Sequence, residues 1–173
     1  MSNTNIEIKA KCSNHVVIRE ILMAKGATFR GIDHQIDTYF NSNCGRLKLR
    51  EGKIENNLIF YERENTKLPR QSDYILYNPT NSNYSLKEIL EKSLGVFVVV
   101  DKQREIYHID NIKFHIDIVK DLGTFIEIEV MDNEGNIGQE KLLEQCNYYL
   151  RLFNVLEDDL ISGSYSDLIF LQM

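Results

Sequence analysis

The sequence is poor in proline and cysteine, with two prolines and three cysteines among 173 residues. So few prolines argue against long disordered linkers, and the length suits one domain spanning residues 1–173. The cysteines are odd in number and far apart, which argues against the short ligand spacing of a structural zinc site. We therefore expect reduced thiols, as in a cytosolic protein, at Cys12, Cys44 and Cys146.

Long apolar segments are also missing. The longest apolar run, Val96–Val100, is far shorter than a membrane span, and residues 1–11 lack the apolar core of a secretory signal. The hydrophobic and charged fractions, 43% and 27%, are those of an ordinary globular protein. We therefore expect a soluble, cytoplasmic protein with no membrane partner.

Positive charge is in deficit, since 20 lysines and arginines stand against 26 acidic residues. The formal charge of −6 argues against a nucleic-acid partner, because nucleic acid requires a broad positive face. The glycine-rich phosphate loop and the motifs GxGxxG, HExxH and GxSxG are absent from the sequence. Any phosphate site must therefore be built from side chains on strands.

Alternation of apolar and polar residues with a period of two dominates the chain and predicts about eight strands. In the segment 5–11, Ile6 and Ile8 fall on one face while Glu7 and Lys9 fall on the other. The other extended segments are 28–32, 34–40, 45–51, 58–64, 74–78, 96–109, 112–120 and 125–131.

Four segments have the apolar period of a helix instead. Ser13 or Asn14 can cap the first helix, and Gly26 is its stop signal. The others cover residues 85–94, about 139–153 and 165–170. The short turns between strands favour an α+β fold, either an antiparallel barrel or a strongly curled sheet, with helices packed against it. The apolar side of the third helix can pack on that sheet or on a second copy, as in a homodimer.

Charged residues share one face on several strands. Arg46, Lys48 and Arg50 point to the same side of their segment, with Leu47 and Leu49 on the other. The same arrangement recurs for Glu7 with Lys9, Tyr61 with Arg63, Lys102 with Arg104, Lys113 with His115 and Asp117, and Glu127 with Glu129.

Two interpretations explain these charged faces. An antiparallel sheet with one solvated face shows the same alternation, and His115 taken alone is then a structural or solvated strand residue. Alternatively, the sheet closes with its charges inside, which is stable only if they pair or meet a charged ligand. A polyphosphate with its divalent metal satisfies both signs, because lysine and arginine bind phosphate while carboxylates bind Mg²⁺ or Mn²⁺.

Six segments in the same order resemble the CYTH superfamily, also called triphosphate tunnel metalloenzymes, and most closely its class IV adenylyl cyclase branch. They run from Asn5 to about Phe170 and are NIEIKAK, DTYFN with GRLKLRE, YERE, the KxR of VVVDKQREIYHI, FHIDIVKDLGTFIEIEV, and GSYSDLI. The resemblance implies an eight-stranded antiparallel β-barrel, or tunnel, with helices packed on the outside. It also implies that a triphosphate binds there together with Mg²⁺ or Mn²⁺.

The resemblance also implies a set of site residues. The family's N-terminal signature ExExK aligns with Asn5, Glu7 and Lys9, so an asparagine replaces the first glutamate. We therefore expect at least one metal site, with Asn5 offering a neutral oxygen, and Arg50 is a candidate for pairing with an acid. The implied metal ligands are Glu7, Asp117, Glu127 and Glu129. The implied phosphate ligands are Lys9, Arg46, Lys48, Arg63, Lys102 and Arg104, and the implied catalytic residues are Glu7, Lys9, Glu127 and Glu129.

Three functions follow from the resemblance. The first is a metal-dependent adenylyl cyclase that converts ATP to cyclic AMP and pyrophosphate. The second uses the same ligands to hydrolyse inorganic tripolyphosphate, thiamine triphosphate or another organic triphosphate. The third, suggested by Asn5, is a non-catalytic nucleotide or polyphosphate binder.

Overall fold

The computed structural model describes residues 3–79, 84–132 and 134–173, with side chains from residue 5 onward. Eight strands and four α-helices lie within these ranges. The strands are β1 (Asn3–Lys11), β2 (Thr28–Phe40), β3 (Arg46–Glu51), β4 (Asn57–Arg63), β5 (Arg70–Tyr77), β6 (Val96–Ile109), β7 (Ile112–Val119) and β8 (Gly123–Met131). The helices are α1 (His15–Ala24), α2 (Tyr84–Leu94), α3 (Gln139–Leu152) and α4 (Tyr165–Phe170).

The strands close into a barrel in the order β1-β5-β4-β3-β2-β6-β7-β8, and every neighbouring pair is antiparallel. Three pairings between strands distant in sequence complete the closure, β1 with β5, β1 with β8 and β2 with β6. The predicted fold, an eight-stranded antiparallel barrel with helices outside, is confirmed. The interpretation as an open sheet with one solvated face is wrong.

Two strand predictions needed correction. Residues 28–32 and 34–40 form one strand rather than two, because Asp33 pairs with Arg104 of β6 and continues the ladder without a break. β5 begins at Arg70 rather than at residue 74, since its first residues are polar and give no apolar alternation. Both differences arise where a strand lacks the usual hydrophobic pattern.

The first helix forms as its end signals predict. The side chain of Asn14 accepts a hydrogen bond from the backbone N–H of Val17 at 3.3 Å, and Gly26, with φ of 76°, follows the last turn. Ile18 and Leu22 form the buried face of α1, which packs against the barrel wall. Among the described residues, no helix combines the length and the apolarity needed to cross a membrane.

The main apolar core lies outside the barrel, between its wall and the helices α1 and α3. Outward side chains of β1, β7 and β8 form one side of this layer. The ring of Phe114 packs against Tyr149 at 4.6 Å and Phe153 at 5.8 Å between centroids. The apolar face of α3 therefore packs on the barrel, and a homodimer stays a prediction.

The C-terminal segment covers one end of the barrel. The backbone N–H of Ile161 donates to the carbonyl of Lys9 at 2.9 Å, which seats the segment on β1. Tyr165, in the first turn of α4, packs its ring on Phe125 at 5.0 Å between centroids. A second, smaller apolar cluster surrounds this contact and includes Val98, Val100 and Val119.

Candidate active site

The barrel encloses a cavity of about 140 Å³ that is lined mainly by charged and polar side chains. Because side chains alternate along a strand, its charged positions point inward while its apolar positions point outward. Seven lysines and arginines line the cavity against five carboxylates, so the wall carries a positive excess. The cations are Lys9, Lys48, Arg50, Arg63, Lys102, Arg104 and Lys113, and the carboxylates are Glu7, Asp37, Glu55, Glu127 and Glu129.

Two carboxylates face each other across β1 and β8. Glu7 and Glu129 are direct partners in the antiparallel register, and both line the cavity. The amide nitrogen of Asn5 donates to Glu129 Oε1, and Arg63 Nη1 donates to Glu7 Oε1. The amide oxygen of Asn5 is buried and accepts no hydrogen bond from the described residues. A buried oxygen without a donor, beside two carboxylates, is a place for a cation or a water molecule.

Glu127 is surrounded by nitrogen donors. Lys9 Nζ lies 2.5 Å from its Oε1, while Arg104 Nη2 and His115 Nδ1 lie 2.9 and 3.0 Å from its Oε2. Burial alone would raise the pKa of Glu127, but the charges of Lys9 and Arg104 hold it well below the usual 4.5. Glu127 is therefore ionised, and it fixes the ends of two cavity cations.

His115 lines the cavity and is only 2% exposed, so the interpretation as a solvated residue is wrong. Burial and the nearby charge of Arg104 lower its pKa below 6.5, so the imidazole is neutral at pH 7. In that form Nδ1–H donates to the carboxylate of Glu127. Nε2 has no hydrogen-bond partner among the described residues.

Asp117 is fully buried behind the cavity wall, at the end covered by α4. Arg104 Nε and Nη2 donate to its two oxygens at 2.7 and 2.6 Å, and the Tyr165 hydroxyl donates at 2.7 Å. Both oxygens are therefore engaged, and the carboxylate orients the guanidinium of Arg104 towards the cavity. As a metal ligand Asp117 stays a prediction.

Asp37 is the centre of a cation cluster that our sequence reasoning missed. Arg50 donates to it twice, at 2.8 and 2.9 Å, while Lys102 Nζ and Lys48 Nζ lie at 2.6 and 3.2 Å. Burial alone would raise the pKa of Asp37, but these three cations hold it well below 3.8. Burial lowers the pKa of Lys102 well below 10.5. One carboxylate thus gathers three cationic side chains, and the expected pairing of Arg50 with an acid is confirmed.

The loop between β3 and β4 brings a further carboxylate, Glu55, to the cavity. Its oxygens accept hydrogen bonds from Arg50 Nη1 at 2.7 Å and from Lys113 Nζ at 3.3 Å. The carboxylate of Asp33 holds the loop by accepting three successive backbone N–H groups at 2.7 to 3.1 Å. A larger residue at position 52 would clash with this carboxylate, because its Cβ would lie 2.5 Å from Asp33 Oδ2.

The arginines of the barrel differ in position. Arg63 lines the cavity and contacts Glu7, and its Nε has no partner among the described residues. Arg46 lies instead at the barrel rim, where Nη2 donates to Asp167 Oδ2 at 2.9 Å. Arg70 donates to the backbone carbonyls of residues 66 and 161–163, so it fastens the C-terminal segment to the barrel.

The structure brings most of the predicted site residues to one cavity. Arg46 at the rim and Asp117 behind Arg104 are the two that do not line it. The sequence did contain a signal for Asp37, since residues 33, 35, 37 and 39 alternate as polar positions on β2. Glu55 lies in a loop, where no period applies. The predicted residues that line the cavity are Glu7, Lys9, Lys48, Arg63, Lys102, Arg104, Glu127 and Glu129.

The oxygen atoms of Glu7 and Glu129, together with the amide oxygen of Asn5, are of the type that a hard divalent cation prefers. Within the described ranges, no three acidic, histidine or cysteine side chains stand together closely enough to hold a metal ion. The unpartnered amide oxygen of Asn5 adds a third oxygen to the pair formed by Glu7 and Glu129. Mg²⁺ prefers oxygen ligands, takes few of them from a protein and keeps several waters. The set therefore suits Mg²⁺ or Mn²⁺.

Together these features define a closed antiparallel barrel of the tunnel type, in which the interior is ionic and the apolar core is external. The chain belongs to the CYTH family, because the model of the CYTH domain matches residues 3–159. This family includes adenylate cyclase-like enzymes and triphosphatases, binds triphosphate substrates and generally uses divalent metals.

Individual relatives agree with the family match. A protein of Methanocaldococcus jannaschii named "putative adenylate cyclase" is 28% identical over 174 residues, which cover 94% of this chain and 97% of that protein. A solved structure of a "putative adenylate cyclase" from Vibrio parahaemolyticus has a TM-score of 0.75 and 17% identity, with both chains fully covered. The Schizosaccharomyces pombe RNA triphosphatase Pct1 shares the fold at a TM-score of 0.52 and 9% identity, over 94% of this chain and 86% of that one.

Proposed function

We propose that this protein is a divalent-metal-dependent enzyme acting on triphosphates, and that it converts ATP to cyclic AMP and pyrophosphate. The observation that carries the proposal is the positive excess of the interior cavity, seven cations against five carboxylates. Buried positive charge in excess is costly unless an anion offsets it. A triphosphate provides that anion, and the name of the Methanocaldococcus jannaschii relative favours cyclisation over hydrolysis.

The cavity cations are held ready for phosphate oxygens. Asp37 and Glu127 gather lysine and arginine ends from different strands, so little rearrangement is required when an anion arrives. Arginine can bind a phosphate through two parallel hydrogen bonds, whereas lysine acts as a point charge. The proposed phosphate ligands are Lys9, Arg46, Lys48, Arg63, Lys102 and Arg104.

Glu7 and Glu129, with the amide oxygen of Asn5, are the proposed first ligands of Mg²⁺ or Mn²⁺. Such an ion, when bound, neutralises phosphate oxygens and lowers the pKa of an attacking hydroxyl group. Glu127 and Asp117 complete the predicted ligand set. For Glu127 to take part, Lys9 or Arg104 has to exchange its contact with this carboxylate for a phosphate oxygen.

In the proposed reaction the ribose hydroxyl oxygen forms a bond to the α-phosphorus, while the bond from that phosphorus to the α–β bridging oxygen breaks. Pyrophosphate leaves with the electron pair, and the hydroxyl proton passes to solvent. Lys102 and Arg104 neutralise the charge that develops on the leaving pyrophosphate. Positioned charge of this kind is the main contribution of a protein to phosphoryl chemistry.

The proposal is tested by incubating the purified protein with Mg²⁺ or Mn²⁺ and, in separate reactions, with ATP, tripolyphosphate and thiamine triphosphate. We expect cyclic AMP and pyrophosphate from ATP. Orthophosphate release without cyclic AMP would replace cyclisation by hydrolysis. If calorimetry shows binding but neither metal supports turnover, the protein is a non-catalytic nucleotide or polyphosphate binder.

A measurement of unfolding stability distinguishes the cyclase, the hydrolase and the non-catalytic binder from a barrel that binds no triphosphate. A ligand that binds only the folded state stabilises it by RT ln(1 + [L]/Kd), about 2.7 kcal/mol at 100 times Kd. We expect tripolyphosphate with Mg²⁺ to raise the free energy of unfolding by about that amount. An unchanged unfolding curve at millimolar tripolyphosphate would contradict every form of the proposal.

We further propose that residues 1–173 act as a single domain in the cytoplasm, with neither nucleic acid nor a membrane as partner. The three cysteines are free thiols, which suits a reducing compartment. Size-exclusion chromatography with light scattering tests the predicted homodimer.

A further inference from the structure

The interior cavity is smaller than the usual site for a whole organic ligand. Its volume of about 140 Å³ lies below the usual range of ligand pockets, roughly 300–1,000 Å³. A phosphate chain can replace the contacts that the acids and cations of the wall now make with one another. A base and a sugar are bulky and uncharged, so they suit a surface next to the cavity better than its ionic interior.

A second cavity, of about 590 Å³, adjoins the first at the end of the barrel near α4, and we call it the rim groove. Its volume falls in the usual range of ligand pockets, roughly 300–1,000 Å³. Tyr39 and Arg63 line both the rim groove and the interior cavity. Other lining residues are Phe40, Asn41, Ser42, Arg46 and Phe97.

The rim groove offers a fixed aromatic surface. The ring of Phe97 packs on Phe170 of α4 with 4.9 Å between centroids, so the protein supports it. Asn41 donates its amide N–H to the carbonyl of Leu94 at 3.0 Å, which fixes the amide. The hydroxyl of Ser42 donates to the carbonyl of Cys44, and its oxygen can accept a hydrogen bond from a ligand. A supported aromatic ring with a few polar groups beside it is suited to stacking on a base and to hydrogen bonding with a base or sugar.

Positive charge lies where the groove meets the interior. The side chain of Arg63 is 2% exposed and contacts Glu7, and its Nε has no hydrogen-bond partner among the described residues. Arg46 is held by Asp167 at 2.9 Å, and its side chain remains 20% exposed. A phosphate next to a nucleoside in the groove would therefore meet guanidinium groups at once.

We propose that the rim groove binds the nucleoside of a nucleoside triphosphate, with the base against Phe97 and the phosphate chain passing Arg63 into the interior cavity. This inference rests on the proposed function and adds a subsite for the nucleoside, which inorganic tripolyphosphate would leave empty. Since Arg63 contacts Glu7, the phosphate that carries the sugar then lies beside the proposed metal ligands.

Calorimetry on the full chain tests the proposal with two ligands, both in the presence of Mg²⁺. One is tripolyphosphate, and the other is ATP with a methylene group in place of the α–β bridging oxygen. Removing an aromatic ring that stacks on a base weakens binding by roughly 5- to 100-fold. We expect Phe97→Ala to weaken nucleotide binding about tenfold and to leave tripolyphosphate binding within about twofold.

Two further variants keep the result decisive. Val99→Ala is the matched control, because Val99 lies on the same strand, is exposed and does not line the groove; both affinities should stay unchanged. Ser42→Trp places a large side chain in the groove from an exposed loop, so it should weaken binding of the nucleotide and not of tripolyphosphate. This variant tests the proposal even if Phe97→Ala does not fold.

Unchanged nucleotide affinity in the folded variants, with tripolyphosphate bound, would overturn this inference alone. Binding of neither ligand by the wild type would overturn it together with the proposed function.

Discussion

The two faces of the barrel wall differ more than any two other regions of the molecule. The inner face carries seven cations and five carboxylates around a cavity of about 140 Å³. The outer face carries the apolar side chains that pack against α1 and α3. On β7 the change occurs from one residue to the next, with His115 inward and Phe114 outward. The same strands therefore supply stability on one face and candidate chemistry on the other.

This separation explains how a barrel can have a charged interior. In a small barrel whose interior is apolar, the same side chains would have to provide both the core and the ligand site. Here burial of the outer face against the helices provides the hydrophobic free energy. The inner face can then retain ion pairs, which stabilise the fold no more than apolar side chains of similar volume would but suit an anionic ligand. Substitutions on the two faces should have opposite consequences.

The largest effect should come from the inner face, in the variant Glu129→Ala. Removing this proposed metal ligand should reduce metal-dependent turnover to background, while the melting temperature stays close to that of the wild type because the site is charged rather than packed. Steady-state assays with Mn²⁺ and circular dichroism melts provide the two measurements. Glu140→Ala, on the exposed side of α3, is the control and should keep full activity. Wild-type rates in Glu129→Ala would remove Glu129 from the metal site.

On the outer face, the variant Phe114→Ala should lose stability and keep the ability to bind tripolyphosphate. Phe114 is 1% exposed and packs on Tyr149 and Phe153, so truncation should lower the free energy of unfolding by ~3–5 kcal/mol. Urea unfolding measures this loss, and Ile118→Ala, at an exposed position of the same strand, should change stability by no more than ~0.5 kcal/mol. Affinity for tripolyphosphate should be unchanged in the folded fraction of Phe114→Ala. Equal stability of the two variants would contradict an external core.

Lys102→Ala should weaken binding of tripolyphosphate by ~2–5 kcal/mol, by analogy with the loss of one partner of a buried charge pair. The side chain of Lys102 is almost wholly buried and lines the cavity. Isothermal calorimetry measures the affinity, with Lys120→Ala, an exposed lysine, as the matched control. An affinity equal to that of the wild type would place Lys102 outside the phosphate site.

The smallest effect for any single group concerns acid stability. The folded-state pKa values of Asp37, Glu55 and Glu127 lie below those of the unfolded chain, where they are about 3.8 and 4.5. As the pH falls through this range the unfolded chain binds protons first, so stability present above pH 4.5 is progressively lost. We expect a loss of about 1–2 kcal/mol for each carboxyl between pH 4.5 and 3. Urea unfolding at both pH values tests this, and a constant free energy would show that the inner carboxylates are not ion-paired.

Much of this architecture could be predicted from alternation alone. The period of two in segments such as 5–11 and 112–120 separates inner from outer residues without knowledge of the partner strands. Closure could not be predicted in that way, since it depends on pairing β1 with β5, β1 with β8 and β2 with β6, and each pair lies far apart in sequence. The resemblance to a family, rather than the alternation, supplied the barrel.

The missed site residues have a common physical reason. Asp37 lies on a strand whose inner face carries mixed polar residues rather than a run of one charge type, so alternation did not mark it as a site residue. Glu55 lies in a loop whose position depends on the buried carboxylate of Asp33, a contact without sequence periodicity. Only tertiary contacts reveal such residues. Arg46, which the strand pattern grouped with Lys48, lies at the rim because it is the first residue of β3.

Diffraction from a crystal grown with tripolyphosphate and Mn²⁺ tests the central claim, that the ionic interior binds a triphosphate with its metal. Anomalous scattering locates the manganese independently of the phosphate density. We predict a manganese peak between Glu7 and Glu129, next to the amide oxygen of Asn5, with phosphates among Lys9, Lys102 and Arg104. A cavity without phosphate, or manganese bound only at the outer surface, would contradict it.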